Sequence, residues 1–173
     1  KSDTMDRLDM CEAIKLHKVP FVLNPTNEWE TFLPHLLEIV QNPWTEFKYF
    51  CEDSKTINSA ISTVPNTTGG IYLFLIRPSI IPSVPAYLAY IGRAHISDSE
   101  NLRKRVRQYA TETKRLKILE MKHYWSPHLY LRYLPLSDNA TIDAVEDELI
   151  KAILPPYNDR YPGVYNQAMR DAF

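Results

Sequence analysis

A chain of 173 residues with 45% apolar content is long enough for one packed core and too apolar for a disordered tail, so one domain with a small extension is expected. Its formal charge of −1 excludes a polycation that holds nucleic acid by overall charge alone, and no apolar run nears the ~20 residues a membrane span requires. Cys11 and Cys51 stand in no CxxC or Cys/His spacing, which argues against a zinc site or a disulfide framework; with a start that lacks the apolar core of a signal peptide, the expected setting is reducing and cytoplasmic.

In chain order, Met5, Leu8, Cys11 and Ile14 recur at helical spacing, as do Trp29, Phe32, Leu33, Leu36, Leu37 and Val40, with Pro34 near the first turn of the second helix. Ser54 is a candidate cap for a short third helix through Ile57 and Ile61. Residues 63–70 are dense in turn formers, and the boundary is placed there: a helical N-terminal extension over 1–65 and a second domain over 66–173. Beyond it the pattern turns to strands. The β-branched and aromatic run 71–76 is the first, 87–91 the second and 129–134 the third. Pro78, Pro82 and Pro85 bar the intervening stretch from a ladder, so the first two strands are expected to pair as a hairpin with a protruding connection. Residues 101–117 read as a helix, and 141–153 as another, stopped by Pro155-Pro156. The fold class is α/β of the α+β type: a small central antiparallel sheet of at least three strands flanked by helices, with a helical preface.

Charge is unevenly spread. Residues 1–65 carry six Lys/Arg against ten Asp/Glu, and 66–173 carry fourteen against eleven, a division of −4 and +3. The basic excess concentrates between Arg93 and Lys117, which hold eight cations and three acids. A local stripe of this kind suffices for phosphate contact in a chain that is neutral overall.

Gly70-Ile71-Tyr72 on the first strand and Tyr90-Ile91-Gly92 ending the second resemble the name-giving motif of the GIY-YIG nucleases. The stretch Asn101 through Tyr109 resembles the arginine helix of that family, placing Arg105 at its catalytic arginine and Tyr109 four residues on. Glu146, twelve residues before the Asn158 that follows Pro155-Pro156-Tyr157, falls in register with its acidic residue. The resemblance covers about 69–160 and implies a metal-dependent DNA endonuclease with catalytic Tyr72, Tyr90, Arg105, Tyr109, Glu146 and Asn158. Tyrosines on strands are ordinarily packing residues; here the ordered set with Arg105 and Glu146 favours chemistry.

Elementary chemistry suits these positions. Glu146 offers the hard oxygen that Mg2+ or Mn2+ prefers, and Arg105 a fork of donors for nonbridging phosphate oxygens. The resemblance implies that Tyr72 orients or deprotonates the attacking water; Tyr90 positions water or phosphate, and Asn158 buttresses the site by hydrogen bonding. Arg93, Arg103, Lys104 and Arg107 are candidate phosphate or DNA contacts. Departures from the family pattern are the long connection 77–86, the insertion between Gly92 and the arginine helix at His95 to Glu100, and Tyr109 where many relatives carry His.

The compact layout fits a standalone restriction-type or host-defence nuclease best, on double-stranded DNA and as a homodimer, since a two-fold duplex invites a two-fold enzyme. The alternatives are a repair or homing nuclease domain and, from another class, a catalytically silent DNA- or protein-binding module. The acidic front is a candidate surface for a protein partner.

Overall fold

A computed structural model describes residues 32–78 and 85–162. Its four strands form one antiparallel sheet: β1 (Thr45–Lys48), β2 (Gly69–Ile76), β3 (Tyr87–Ala94) and β4 (Leu129–Leu136), in the order β1-β4-β2-β3. The helices are α1 (Pro34–Val40), α2 (Leu102–Gln108), α3 (Leu116–Trp125) and α4 (Asn139–Ile153), with short 3-10 turns at Ser59–Thr63 and Ser126–His128. None of the described helices is long and apolar enough to cross a membrane.

β2 is the central strand, paired with β3 on one side and β4 on the other, and its residues are apolar on both faces because both are covered. Tyr72 and Phe74 pack with Leu102 and Val106 of α2 and with Ile118 and Met121 of α3. Ile71, with Ile91 of β3, packs on Ile142, Val145 and Ile150 of α4 and Leu36 of α1. The register runs Tyr72 opposite Gly92 and Phe74 opposite Tyr90, then slips so that Leu75 faces Leu88. Ala89 is therefore the extra residue of a β-bulge.

β3 is an edge strand whose outward backbone groups are nonetheless engaged. Leu154 ends α4 in the left-handed conformation (φ 53°), and the chain turns back along β3. Tyr157 N–H donates to the carbonyl of bulged Ala89 at 3.0 Å. The Asn158 amide accepts from Ile91 N–H at 2.9 Å and donates to Ile91 C=O at 2.8 Å, mimicking a strand partner. These bonds fix Asn158 against β3 and close an edge that would otherwise invite pairing.

Three expectations need correction. The segment 45–64 is not a helical extension: β1 pairs with β4, and Tyr49, Phe50, Ile61 and Val64 lie in the same core as Tyr72. The Tyr49 hydroxyl donates to the Val106 carbonyl at 2.6 Å, so the boundary drawn at 65 runs through one packed unit. Ser54 caps no helix. It takes a positive φ (57°) in a turn, the Asp53 carboxylate accepts from the N–H groups of Lys55 and Thr56, and Asn58 caps the 3-10 turn instead. The helix foreseen over 101–117 is two helices. After Tyr109 the carbonyls of Ala110 and Glu112 accept from Lys122 Nζ at 3.2 and 2.8 Å, and the Glu112 carboxylate accepts from Lys114 N–H at 2.9 Å. These partners satisfy backbone groups that a continuous helix would have satisfied internally, so the chain can break and restart. The helical repeat at Met5 to Ile14 and the connection's Pro82 lie outside the described residues.

Candidate active site at the edge of the sheet

Three tyrosine rings meet where β2, β3 and α2 converge. Tyr72 is fully buried, its hydroxyl 2.7 Å from that of Tyr109, and Tyr109 donates to the Tyr90 hydroxyl at 3.0 Å. Each phenol owns one proton, so the Tyr109 bond to Tyr90 fixes the other bond: Tyr72 donates to Tyr109. The chain runs Tyr72 to Tyr109 to Tyr90 and leaves the Tyr90 proton as the one not spent within the triad. Tyr90 is also the partly buried member, whereas Tyr109, like Tyr72, is buried. Burial raises all three phenols above the ordinary tyrosine range, and the Arg105 charge near Tyr72 and the Arg115 charge near Tyr90 only partly offset this. Tyr72 is thus enclosed and committed to a neighbour, a poor base for a water molecule in this conformation.

Gly92 explains how the rings fit. A Cβ there would stand 2.5 Å from the Tyr72 hydroxyl oxygen and 2.6 Å from its Cζ. Gly92→Ala is therefore expected to cost about 1–3 kcal/mol and to displace the phenol chain, because a buried ring has nowhere to yield. Urea unfolding of the variant checks this; wild-type stability would show that the ring can move.

Arg105 is half-buried on α2. Its Nη1 donates to Gln108 Oε1 at 3.0 Å, and Gln108 Nε2 donates to Glu100 Oε2 at 3.1 Å, so a side-chain relay anchors the guanidinium at the wall of a cleft of about 850 Å³. The opposite wall is α4 and the end of β3. Glu146 lies there, 13% exposed, with its carboxylate bonded to Arg93 Nη1. Arg93 Nε also meets Asp143 Oδ1 at 2.8 Å. Burial holds the Glu146 carboxyl above the ordinary carboxylate range, while Arg93 pulls the other way. Of the neighbouring acids, Asp147 is largely exposed and Glu148 pairs with Lys151, so the α4 register presents Glu146 as the enclosed carboxylate of the cleft.

Other basic residues have structural duties. Arg103 is not a free phosphate contact: its Nε donates to the Val64 carbonyl at 2.5 Å and its Nη2 to the Ser62 carbonyl at 2.8 Å, tying α2 to the 3-10 turn. Lys104 Nζ donates to the Ser99 carbonyl, and Arg107 is exposed. Arg93 is held by carboxylates.

Sequence reasoning passed over several residues found here. Arg115 lies over the Tyr109 ring, 4.7 Å from its centroid, and is oriented by Glu112 at 2.6 Å; its donors and that ion pair help hold Glu112 near a pKa of about 2, after the Lys114 N–H. Arg160 lines the cleft. His95, at the start of the insertion that precedes α2, meets Asp143 with its Nε2 2.5 Å from Oδ1. The i, i+3 spacing of Asp143 and Glu146 is visible in the sequence, but the pairing of residues 95 and 143 is not.

The donor set suits a hard cation modestly. Among the described residues no group of three His, Cys, Asp or Glu side chains forms a ready-made metal cage. One enclosed carboxylate facing an open cleft does fit an ion such as magnesium, which keeps most of its waters and draws further ligands from substrate phosphate. Comparison of the chain with protein-family models, with curated proteins and with solved structures found no match.

Proposed function

We propose that this chain is a metal-dependent DNA endonuclease of the GIY-YIG kind, acting as a standalone restriction-type or host-defence enzyme. The observation that supports it is convergence: Arg105 from α2 and Glu146 from α4 line one cleft at the β3 edge, and the Tyr90 hydroxyl, the open end of the phenol chain, has both Arg115 and Glu146 within electrostatic reach. In this reading Arg105 grips the nonbridging oxygens of the scissile phosphate where negative charge grows. Tyr90 offers its unspent proton to water or phosphate, with Tyr72 and Tyr109 fixing its orientation. Glu146 would hold a magnesium or manganese ion, whose charge would stabilise the phosphate and ease ionisation of water. Arg93 compensates the charge of Glu146 and of Asp143 at the cleft wall. The connection 77–86 and the loop from His95 to Glu100 are assigned to DNA contact, and a second copy to the opposite strand.

The test is digestion of plasmid, phage and genomic DNA by wild type and Glu146→Ala with magnesium, manganese or EDTA. Discrete fragments from wild type, lost in EDTA and in the variant, are the expected result. Nicking or smearing would favour a repair-type enzyme. The closed Arg93–Glu146 ion pair favours the second reading, a silent DNA-binding module, and uncut DNA with salt-sensitive binding would establish it.

A further inference from the structure

The proposed reaction needs a proton acceptor for the attacking water, and the obvious candidates are spent. Tyr72 and Tyr109 are enclosed and hydrogen-bonded to each other, and Glu146 is committed to Arg93, or to a cation that replaces it. Imidazole is the side chain that exchanges protons near neutral pH. Of the described histidines, His95 is the one that lines the cleft, which Glu146 and Arg105 also line.

His95 follows the last residue of β3, so a strand end rather than a free loop sets its position. The next residue is also tied down: Ile96 N–H donates to Asn139 Oδ1 at 3.0 Å, and Asn139 Nδ2 donates to the Ile96 carbonyl at 3.1 Å, which docks the chain on the start of α4. The imidazole Nε2 is bound to Asp143 Oδ1, and Asp143 is itself held by Arg93 Nε. A carboxylate on one ring nitrogen keeps the proton there and leaves the lone pair on the other. Nδ1 has no hydrogen-bond partner among the described residues, and the side chain is 41% exposed.

Resting on the nuclease reading, we propose that His95, positioned by Asp143, is the general base of this site. The water oxygen forms a bond to phosphorus as its proton passes to His95 Nδ1. The bond from phosphorus to the leaving sugar oxygen breaks, its electron pair stays on that oxygen, and solvent supplies the proton that neutralises it. The imidazolium then returns its proton to solvent. The groups that set its charge balance are Asp143, Glu146 and Asp147 on α4, Arg93 on β3, and Glu100, Arg105 and Arg160 elsewhere in the lining of the cleft.

The experiment compares wild type, His95→Gln, Asp143→Asn and Tyr72→Phe in single-turnover cleavage between about pH 5 and 8, with duplex binding measured in EDTA. His95→Gln is expected to lower the rate about 10²–10⁴-fold, to lose the limb that rises with pH and to regain part of the rate with added imidazole, while duplex binding is retained. Asp143→Asn should lower the rate too, and Tyr72→Phe should keep the rising limb. A readout independent of turnover is the His95 imidazole NMR signal in metal-free protein, expected to move when a short duplex is added. Wild type that cuts no DNA under any metal would overturn the nuclease reading and this assignment together. Wild type that cuts while His95→Gln keeps its rate and pH profile, or an imidazole signal that a bound duplex leaves unmoved, overturns the assignment alone.

Discussion

Arg105→Ala is expected to lower single-turnover DNA cleavage about 10²–10³-fold, the usual loss when one preorganised donor to a developing oxyanion is removed. The fold should be indifferent, because Leu102 and Val106 carry the packing of α2 whereas Arg105 reaches the cleft wall and bonds to Gln108. Arg105→Lys should recover only part of the rate: an ammonium restores charge but not the planar fork that meets two phosphate oxygens together. Rate and thermal midpoint measured on the same preparations separate the two effects. Cleavage at the wild-type rate by Arg105→Ala would mean that the cleft is not where phosphate is cut.

Gly70→Ala should be the most damaging single change to the fold, costing about 2–5 kcal/mol from backbone strain and overpacking combined. Gly70 has a φ of +148°, a conformation that residues with a Cβ rarely adopt. An added Cβ would lie 2.3 Å from the Leu134 carbonyl oxygen and 3.0 Å from Pro135 Cα, both backbone atoms of β4. Neither can withdraw without opening the β2–β4 ladder, on which the central strand depends. Because whole domains are stable by only about 5–15 kcal/mol, the variant should unfold at markedly lower urea and lose activity at temperatures the wild type tolerates. A midpoint within error of wild type would show that the ladder can relax. Gly92 differs: its Cβ would meet a side chain, Tyr72, so the damage falls on the phenol chain before the sheet.

The elements that could be read in advance are those whose signal is local. The β-branched and aromatic run ending at Ile76, the prolines after it and the strand that follows announced a hairpin, and β2 and β3 pair as one. The apolar residues Ile142, Val145, Leu149, Ala152 and Ile153 announced α4; Ile142 and Val145 are buried, the other three are half-buried, and Ile150 is buried in addition. β1 was missed because four residues, Thr45–Lys48, are too few for a period-two pattern and are held by pairing with β4. The break after Tyr109 was missed because its cause, Lys122 reaching back to the carbonyls of Ala110 and Glu112, lies a helix away. The bulge at Ala89 has no mark in the sequence either, yet it frees the carbonyl that anchors Tyr157.

The candidate site divides along the same line. Motifs that resemble the GIY-YIG pattern, matched in order along the chain, singled out Tyr72, Tyr90, Tyr109, Arg105, Glu146 and Asn158. The burial that turns Tyr72 inward was decided by three elements packing together, as was the pairing of Arg93 with Glu146. Arg103 looked like a phosphate contact by composition, but tertiary packing gave it the carbonyls of Ser62 and Val64. His95 and Asp143 are 48 positions apart and carry no joint signal; only the docking of α4 against the end of β3 makes them neighbours. Sequence by itself determined the sheet's central hairpin and its flanking helix, since those depend on local periodicity, while the candidate site residues came from the resemblance of ordered motifs to a known family. Which of these groups are enclosed, neutralised or open to the cleft was decided by tertiary structure alone, because burial and charge pairing are properties of contacts between segments distant in the chain.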